Sequence, residues 1–174
     1  MKNIKVILYM AISVNGFTTK GKDDTDWVAD TDWGEFDSLM KDCGIMVMGR
    51  RAYEMFGDDF PCEGAVNVVM TTQRGLLNRK TPENVIFTDK TPKEVVKMAQ
   101  EKGFKKLMLM GGMTLNTSFF KENLVDEIWL SIHPLLIGEG KTIMEKIDCN
   151  KKLKLLGIKK LKEGLIQLRY EVIK

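Results

Sequence analysis

Short, continuous apolar runs recur along the chain and are separated by residues that favour turns. Runs of this length predict strands that are buried in a sheet. We expect such strands over residues 4–12, 45–48, 67–70, 85–87, 106–110 and 126–133. Two further runs, at 153–161 and 165–173, flank Glu163 and Gly164 and predict an antiparallel C-terminal hairpin.

Helices are predicted between these strands. Apolar residues recur at three- and four-residue spacing from Trp33 to Met40, which predicts a helix that ends near Gly44. Other helices are expected over about 91–102, where Thr91 begins a capping box, and from Gly112 to about 122, with a short one after Gly49. Strands that alternate with helices and close with an antiparallel hairpin predict an α/β fold with three αβα layers and a mixed, mostly parallel central sheet.

Length and composition limit the class of protein. A chain of 174 residues can build one domain with a substantial core, so we expect one domain over residues 1–174. With 44% hydrophobic and 29% charged residues, the composition is that of a soluble globular protein. The apolar run over 6–12 is too short to span a bilayer and lacks the cleavage site of a signal peptide. We therefore expect a cytoplasmic protein with no membrane partner.

The charge distribution does not favour a nucleic-acid partner. The net charge of +3 is small, and the lysines that crowd residues 151–162 have no interleaved aromatic residue on which a base could stack. We interpret these lysines as a solvated strand face. Seven acidic residues and no basic one lie between Asp23 and Asp37, in a segment that we expect to begin as a surface loop.

The chain has few residues for metal binding or nucleophilic catalysis. Its three cysteines are widely separated and form no C-x-x-C pattern, so neither a disulfide framework nor a metal site is predicted. His133 is the only histidine, and its place before Pro134 at a strand end is more typical of a packed, hydrogen-bonded residue than of a catalyst. The chemistry is therefore expected to rely on a cofactor or a carboxylate.

The run over 106–110 ends at two glycines that can form a phosphate-binding corner. Gly111 and Gly112 precede a predicted helix, and Thr114 can cap its free N–H groups. Adjacent glycines allow close approach to the main chain, while the N–H groups and the helix dipole favour a phosphate. From this stretch alone, an ordinary turn without a ligand is an equally good interpretation.

Two other predicted strands end in polar groups that are suited to the same task. The residues at these ends are Gly49, Arg50 and Arg51 after one strand and Thr71, Thr72, Gln73 and Arg74 after the next. They could also be plain surface charge and a simple turn. Because ligands collect at the carboxyl ends of strands in such sheets, we expect the three corners to lie together and to strengthen one another as a nucleotide site.

Five short motifs occur in a specific order along nearly the whole chain. They are AISVNG at 11–16, MGRRAYE at 48–54, GG at 111–112, LVDE at 124–127 and PLLIGEGK at 134–141. In this order they resemble the dihydrofolate reductase fold, and more closely the reductase domain of riboflavin biosynthesis that shares it. The resemblance implies an NADPH-dependent reductase, commonly a homodimer, that holds its dinucleotide along the sheet edge.

The resemblance also implies roles for individual residues. The counterparts of Gly111 to Leu115 hold the pyrophosphate, often with a cis bond between the glycines. The counterparts of Arg50, Thr71 and Thr72 contact the adenosine phosphates. Those of Ala11 and Ile12 lie near the nicotinamide. The full set expected to bind the cofactor is Ala11, Ile12, Gly49, Arg50, Arg51, Thr71, Thr72, Gln73, Gly111, Gly112, Met113, Thr114 and Leu115. A cluster of guanidinium and hydroxyl groups suits a 2′-phosphate, so NADPH is favoured over NADH.

A substrate site is implied near the first predicted helix. Trp27, Asp32 and Phe36 have the spacing of the tryptophan, acid and phenylalanine that line the folate pocket of dihydrofolate reductases. Asp32 is our candidate for binding an amino-substituted heterocycle and assisting its protonation, because a carboxylate accepts paired hydrogen bonds from an amidine-like edge. Alternatively, Asp32 only complements the helix dipole, and Asp30 or Glu35 points inward instead.

Several positions depart from the patterns of these families. Ala65 stands where folate reductases place the arginine that holds the glutamate tail, Asn116 replaces a tyrosine, and Ala52 replaces a threonine. Asn15 replaces the aspartate common in the riboflavin-type motif, and the H-x-E and P-C-x-x-C signature of the fused deaminase does not occur. The departures leave the substrate open within the class of small pterin- or pyrimidine-like heterocycles.

Three functions follow in order of preference. The first is an NADPH-dependent reductase that transfers a hydride to such a heterocycle, with Asp32 as the acid. The second is a non-catalytic NADPH-binding sensor or a module that stabilises a partner, and the third is a fold without a dinucleotide site. In each case we expect a homodimer, for which the sixth strand and the hairpin, with Trp129, form an interface unless they are core.

Overall fold

The computed structural model describes residues 4–174 of the chain, so residues 1–3 of the predicted domain lie outside the described part. Its strands are β1 (Lys5–Ser13), β2 (Ile45–Gly49), β3 (Val66–Met70), β4 (Val85–Thr88), β5 (Lys106–Gly111), β6 (Glu127–His133), β7 (Leu153–Lys160) and β8 (Ile166–Val172). Its helices are α1 (Asp30–Cys43), α2 (Arg50–Phe56), α3 (Arg74–Leu77), α4 (Pro92–Glu101) and α5 (Met113–Lys121). The helix α3 was not predicted, because it is a four-residue turn without apolar periodicity.

The strands form one eight-stranded sheet in the order β4-β3-β2-β5-β1-β6-β8-β7 within the described residues. Strands β1 to β6 pair in parallel, whereas β8 runs antiparallel to β6 and β7 antiparallel to β8. The predicted mixed, mostly parallel sheet with an antiparallel C-terminal hairpin is therefore confirmed.

Helices cover both faces of this sheet. Phe36 and Met40 of α1 pack with Ala52 of α2 on one face, while Val95 of α4 and Phe119 of α5 belong to the core on the other. The central strands β1, β2 and β5 are buried on both sides, which is why they appear in the sequence as continuous apolar runs rather than alternating ones. The predicted three-layer αβα architecture is confirmed.

Local signals set the ends of two helices as expected. At the start of α4, Thr91 Oγ1 accepts the N–H of Glu94, while the Glu94 carboxylate accepts the N–H of Thr91. This reciprocal pair is a capping box. Helix α1 ends at Gly44, whose φ of 70° lies in the left-handed region and whose N–H bonds to the carbonyl of Met40. Helix α1 is thereby directed into β2.

The strand order places the candidate site at one edge of the sheet. Strands β3, β2, β5 and β1 are consecutive neighbours and parallel, so their carboxyl ends meet at the same edge. These four ends carry all the residues that the sequence nominated for the cofactor. The register between β2 and β5 shifts after Val47, and Met48 then lies opposite Gly111.

Candidate active site

The corner between β5 and α5 has the geometry expected of a phosphate-binding turn. The peptide bond between Gly111 and Gly112 is cis, and Gly112 is the residue before the helix. No side chain caps the start of α5, so its first N–H groups stay open at the corner. The expectation that Thr114 caps them is wrong. Thr114 is the second helical residue, too far along to act as the cap, and its hydroxyl donates to Glu145 Oε1 at 2.6 Å.

Gly111 is required by its surroundings. Its φ is +100°, and an added Cβ would lie 3.3 Å from Met10 Sδ and 3.4 Å from Asn116 Nδ2. The Asn116 amide nitrogen donates to the carbonyl of Ile143 at 2.8 Å, whereas its buried Oδ1 has no hydrogen-bond partner within residues 4–174. The open N–H groups of the helix start suit an anion, whereas the unpaired Asn116 Oδ1 needs a hydrogen-bond donor, which a phosphate does not supply.

The corner after β2 touches the glycine corner. A Cβ at Gly49 would lie 3.8 Å from both Gly111 O and Gly112 N, so the two turns are in direct contact. Arg50 begins α2, and its Nη1 lies 2.5 Å from Glu54 Oε1 in a partly exposed ion pair. Arg51 is exposed. The structure thus brings two guanidinium groups to the edge that carries the open helix start.

The third corner follows β3, the strand beside β2. Thr71 is buried, and its hydroxyl accepts the N–H of Gln73 at 3.1 Å in a tight turn. Thr72 and Gln73 are exposed, and Arg74 begins α3. The hydroxyl and amide groups of this turn therefore lie on the same sheet edge as Arg50.

A cavity of about 660 Å³ lies beside these corners, between α1, α2 and the central strands. Met10, Ala11 and Met110 line it from β1 and β5, directly next to the glycine corner. Ile12 is buried and lies outside the lining. Through Ala11 and Met110, the cavity and the corner form one continuous site.

Asp32 is the buried acid of this cavity. Its side chain is 2% exposed and accepts a short hydrogen bond from the Tyr9 hydroxyl, which also lies 3.1 Å from Ser131 Oγ. Asp30 is exposed, and Glu35 forms an ion pair with Lys159 at 2.6 Å. Of the three acids considered from the sequence, Asp32 is therefore the inward one.

Burial is the largest influence on the pKa values of Asp32 and Tyr9. Burial raises the pKa of the Asp32 carboxyl above its ordinary value, against the hydroxyls of Ser131 and Tyr9, which lower it. Burial, followed by the charge of Asp32, also raises the pKa of Tyr9, so its phenol keeps the proton that it donates. A carboxyl whose pKa is raised in a cavity is suited to giving a proton to a bound compound.

His133 lies next to the Asp32 carboxyl. Its Nε2 accepts the N–H of Ala29 at 3.2 Å, and its Nδ1 lies 3.2 Å from the carbonyl of Ser131. This pattern assigns the neutral tautomer with the proton on Nδ1. Nε2 lies 3.9 Å from Asp32 Oδ2. His133 is thus packed and hydrogen-bonded, as its position in the sequence indicated.

Two of the three residues nominated for the substrate line the cavity. Asp32 and Phe36 do so, whereas Trp27 lies outside the lining and packs edge-on against His133, with ring centroids 5.0 Å apart. Tyr9 and Ser131 also belong to this site and were not predicted from the sequence. The available signal was a polar residue inside each of two buried strand runs, which is costly unless it is hydrogen-bonded.

Two motif residues have a structural role. Asn15 Nδ2 donates to the carbonyl of Ile137 at 2.8 Å, and Asn15 Oδ1 accepts the N–H of Ile137 at 3.1 Å, which joins the loops that follow β1 and β6. Gly140 closes the same junction, because a Cβ there would lie 1.8 Å from the carbonyl oxygen of Thr19. Ala65 is buried outside the cavity lining, and Ala52 lines it.

Within residues 4–174, no group of three or more His, Cys, Asp or Glu side chains is arranged to hold a metal ion. No helix in this part of the chain is long and apolar enough to cross a membrane.

The protein is therefore an α/β protein with the dihydrofolate reductase-like fold and a cavity at the carboxyl edge of its sheet. Residues 4–167 match the family described as the RibD C-terminal domain. The chain belongs to this family.

Comparison with individual proteins agrees with the family. Uncharacterized protein YyaP of Bacillus subtilis (strain 168) is 27% identical over 182 residues, which cover 98% of this chain and 96% of the relative. The solved diaminohydroxyphosphoribosylaminopyrimidine deaminase/5-amino-6-(5-phosphoribosylamino)uracil reductase of Thermotoga maritima is 13% identical with a TM-score of 0.78, and the match covers 99% of this chain and 57% of that one. A pyrimidine reductase-like protein of Corynebacterium diphtheriae NCTC is 17% identical with a TM-score of 0.71, over 99% and 93% of the two chains. At these identities the two structures show the fold alone.

Proposed function

We propose that this protein is an NADPH-dependent reductase that transfers a hydride to a small pterin- or pyrimidine-like heterocycle. The observation that carries the proposal is the continuity of the site. A cavity with one buried acid, Asp32, opens beside the uncapped start of α5, and Ala11 and Met110 join the two. A hydride can pass directly only between two compounds in contact. This arrangement provides a cavity for the heterocycle and, directly beside it, a corner for the dinucleotide.

The residues present fit a dinucleotide with a 2′-phosphate. The open N–H groups at Gly112 and Met113 suit a pyrophosphate. Arg50, with the hydroxyls of Thr71 and Thr72, would hold the adenosine phosphates from the neighbouring strand ends. When bound, NADPH supplies the hydride. The chain positions the acceptor, excludes water with its apolar walls and holds a proton on the Asp32 carboxyl.

The experiment that tests the reductase proposal is NADPH oxidation, followed at 340 nm with a panel of dihydropterins and aminopyrimidine ribosides. Replacing Asp32 with Asn should reduce turnover at least a hundredfold, within the usual range for losing a general acid, and leave NADPH affinity nearly unchanged. Asp30→Asn is the matched control, because this exposed acid lies in the same helical turn. An unaltered rate in Asp32→Asn would reject the role of Asp32.

A second experiment addresses the phosphate. Arg50→Ala should weaken NADPH binding by about tenfold or more, because a charge-assisted hydrogen bond contributes about 1.5–3 kcal/mol, and should affect NADH less. Arg79→Ala is the control, since Arg79 is an exposed arginine outside the three corners. No change in Arg50→Ala would support a fold that carries no dinucleotide site. Tight NADPH binding without turnover of any compound would favour the non-catalytic binding protein.

We also propose that two copies of the chain pair through the C-terminal hairpin. The register places Leu153, Leu155 and Ile158 of β7 opposite Val172, Tyr170 and Leu168 of β8, so all six share one face of the sheet. Leu155 and Ile158 are 49% and 61% exposed. The opposite face carries Lys154, Lys159, Glu171 and Arg169. One half-exposed apolar sheet face of this kind is typical of an interface between copies.

Trp129 does not belong to that apolar face. It lies on the opposite side of β6, where Arg169 stacks on its ring at 3.7 Å and its indole N–H donates to Glu127. The proposed interface therefore rests on β7 and β8 rather than on Trp129.

A further inference from the structure

The charged residues that line the cavity are nearly all acidic. Asp32, Asp37, Asp59 and Glu63 line it, and Lys41 is the basic residue among the described lining. The Lys41 ammonium lies 2.7 Å from Asp37 and is therefore already neutralised. Asp59 and Glu63 are exposed and have no ion-pair partner within residues 4–174. The mouth of the cavity thus keeps two unpaired negative charges.

The Cys62 thiol lies among the same carboxylates. The thiol lines the same cavity, and burial together with the charges of Asp37 and Asp59 raises its pKa to about 11. Burial opposes the thiolate most, and the nearby carboxylates of Asp37 and Asp59 add to that effect, as they would add to the cost of any bound anion.

Part of the cavity wall is aromatic. Trp33, Phe36 and Phe56 contact one another, with ring centroids 5.4 Å apart for the first pair and 6.3 Å for the last two. Trp33 and Met55 are 43% and 42% exposed although they line the cavity, so both remain available to a bound ring. Aromatic faces attract cations, and methionine adapts to rings of different shape.

We infer that the cavity takes an uncharged or cationic, amino-substituted aromatic compound that carries no phosphate. A phosphate monoester bears a charge of about −1.5 to −2 at neutral pH. Bound here, it would meet Asp59 and Glu63 without a free lysine or arginine to receive it. An amino-substituted ring would instead present its N–H edge to Asp32 and its face to Trp33. This substrate class deepens the proposed reductase function and rests on it.

The inference sets this chain apart from one solved relative. The Thermotoga maritima protein is by name a reductase of a 5-phosphoribosylamino compound. On our inference, this chain acts on a compound without that phosphate, and the acidic mouth is what excludes it.

The test is a set of equilibrium titrations in the absence of NADPH and NADH, followed by tryptophan fluorescence and calorimetry. The cationic probe is 2,4-diamino-5-phenylpyrimidine, and 2,4-dimethyl-5-phenylpyrimidine is its neutral counterpart. The double variant Asp59→Asn/Glu63→Gln should weaken binding of the diamino probe by about threefold to tenfold, in line with partly screened charges, and leave the dimethyl probe unchanged. Asp89→Asn/Glu101→Gln removes two exposed acids outside the cavity lining and should change neither.

A phosphate arm completes the test with uridine and uridine 5′-monophosphate. The parent protein should bind the monophosphate at least threefold more weakly than uridine, and the reversal Asp59→Lys/Glu63→Lys should invert that order. Tighter binding of the monophosphate to the parent, or no binding of the diamino probe, would overturn the inference. Because these titrations contain neither NADPH nor NADH, a failed NADPH titration would reject the reductase proposal while leaving this preference separately measurable.

Discussion

Tyr9 donates its phenolic hydroxyl to the carboxylate of Asp32, and so joins the buried centre of β1 to the first turn of α1. Both residues line the same cavity. A tyrosine within an otherwise apolar strand is explained by this bond, since the hydroxyl would lose hydrogen bonding if it were buried without a partner. The pair is the chemical centre of the proposed active site.

The difference in unfolding free energy between the Asp32→Asn variant and the parent should depend on pH. The folded-state pKa of Asp32 is raised, so the folded protein holds this proton more tightly than the unfolded chain, whose aspartate titrates near pH 3.9. The resulting stabilisation is complete below that pH and is lost as the pH rises through the folded pKa. The asparagine variant should therefore gain stability relative to the parent between about pH 4 and neutrality.

Thermal or urea unfolding across that pH range measures this difference. Asp30→Asn should follow the parent at every pH, because Asp30 is exposed. A stability difference for Asp32→Asn that stays constant, or that shrinks as the pH rises, would show that Asp32 has no raised pKa in the folded protein.

Tyr9→Phe should move the pH dependence of reduction. The Tyr9 hydrogen bond lowers the pKa of Asp32, so its removal raises that pKa further. If protonated Asp32 is the acid, the alkaline limb of the kcat/KM profile should shift to higher pH. Tyr170→Phe, on β8 and outside the cavity lining, is the control. A lower rate with an unmoved limb would assign Tyr9 a purely structural role.

Asn15→Asp should destabilise the fold without changing cofactor affinity. The amide both donates to and accepts from Ile137, and a carboxylate cannot donate. Leaving the Ile137 carbonyl unpaired should cost about 1–3 kcal/mol of unfolding free energy, as judged by the urea midpoint. Asn150→Asp, at an exposed position, should cost nearly nothing. If Asn15→Asp instead weakened NADPH binding at constant stability, Asn15 would belong to the ligand site.

Ile158→Lys should convert a dimer into a monomer. The side chain is 61% exposed on the apolar face of the hairpin, and a charge there would oppose pairing of two copies. Sedimentation equilibrium at micromolar concentration should show twice the chain mass for the parent and for Lys154→Ala, which alters the opposite face, and one chain mass for Ile158→Lys. A monomeric parent would contradict the pairing proposal.

Local sequence was sufficient for most of the fold. The central strands are buried on both faces, so each run is apolar throughout, and the capping box at Thr91 and the glycine at position 44 mark helix ends independently of tertiary context. The glycine pair at 111 and 112 likewise marked the corner before α5, where the positive φ of Gly111 favours glycine.

Local sequence patterns did not predict the contacts between residues far apart in the chain. Tyr9 meets Asp32 and Ser131 only because α1 and β6 both lie beside β1. Trp27 was assigned to the substrate from its spacing, yet its indole packs on His133, which is far away in sequence. Thr114 has a side chain that can cap a helix, but its hydroxyl donates a hydrogen bond to Glu145 instead. In each case the partner is set by tertiary packing, which local spacing does not encode.

The most direct test of the central claim is a calorimetric titration of the purified protein with NADPH and, in parallel, with NADH. The account predicts saturable binding of NADPH that is at least tenfold tighter than that of NADH, as expected if the Arg50 and threonine corners receive the 2′-phosphate. Absence of binding by either nucleotide to protein shown to be folded would contradict the account and leave the chain with the fold of a reductase but without its cofactor site.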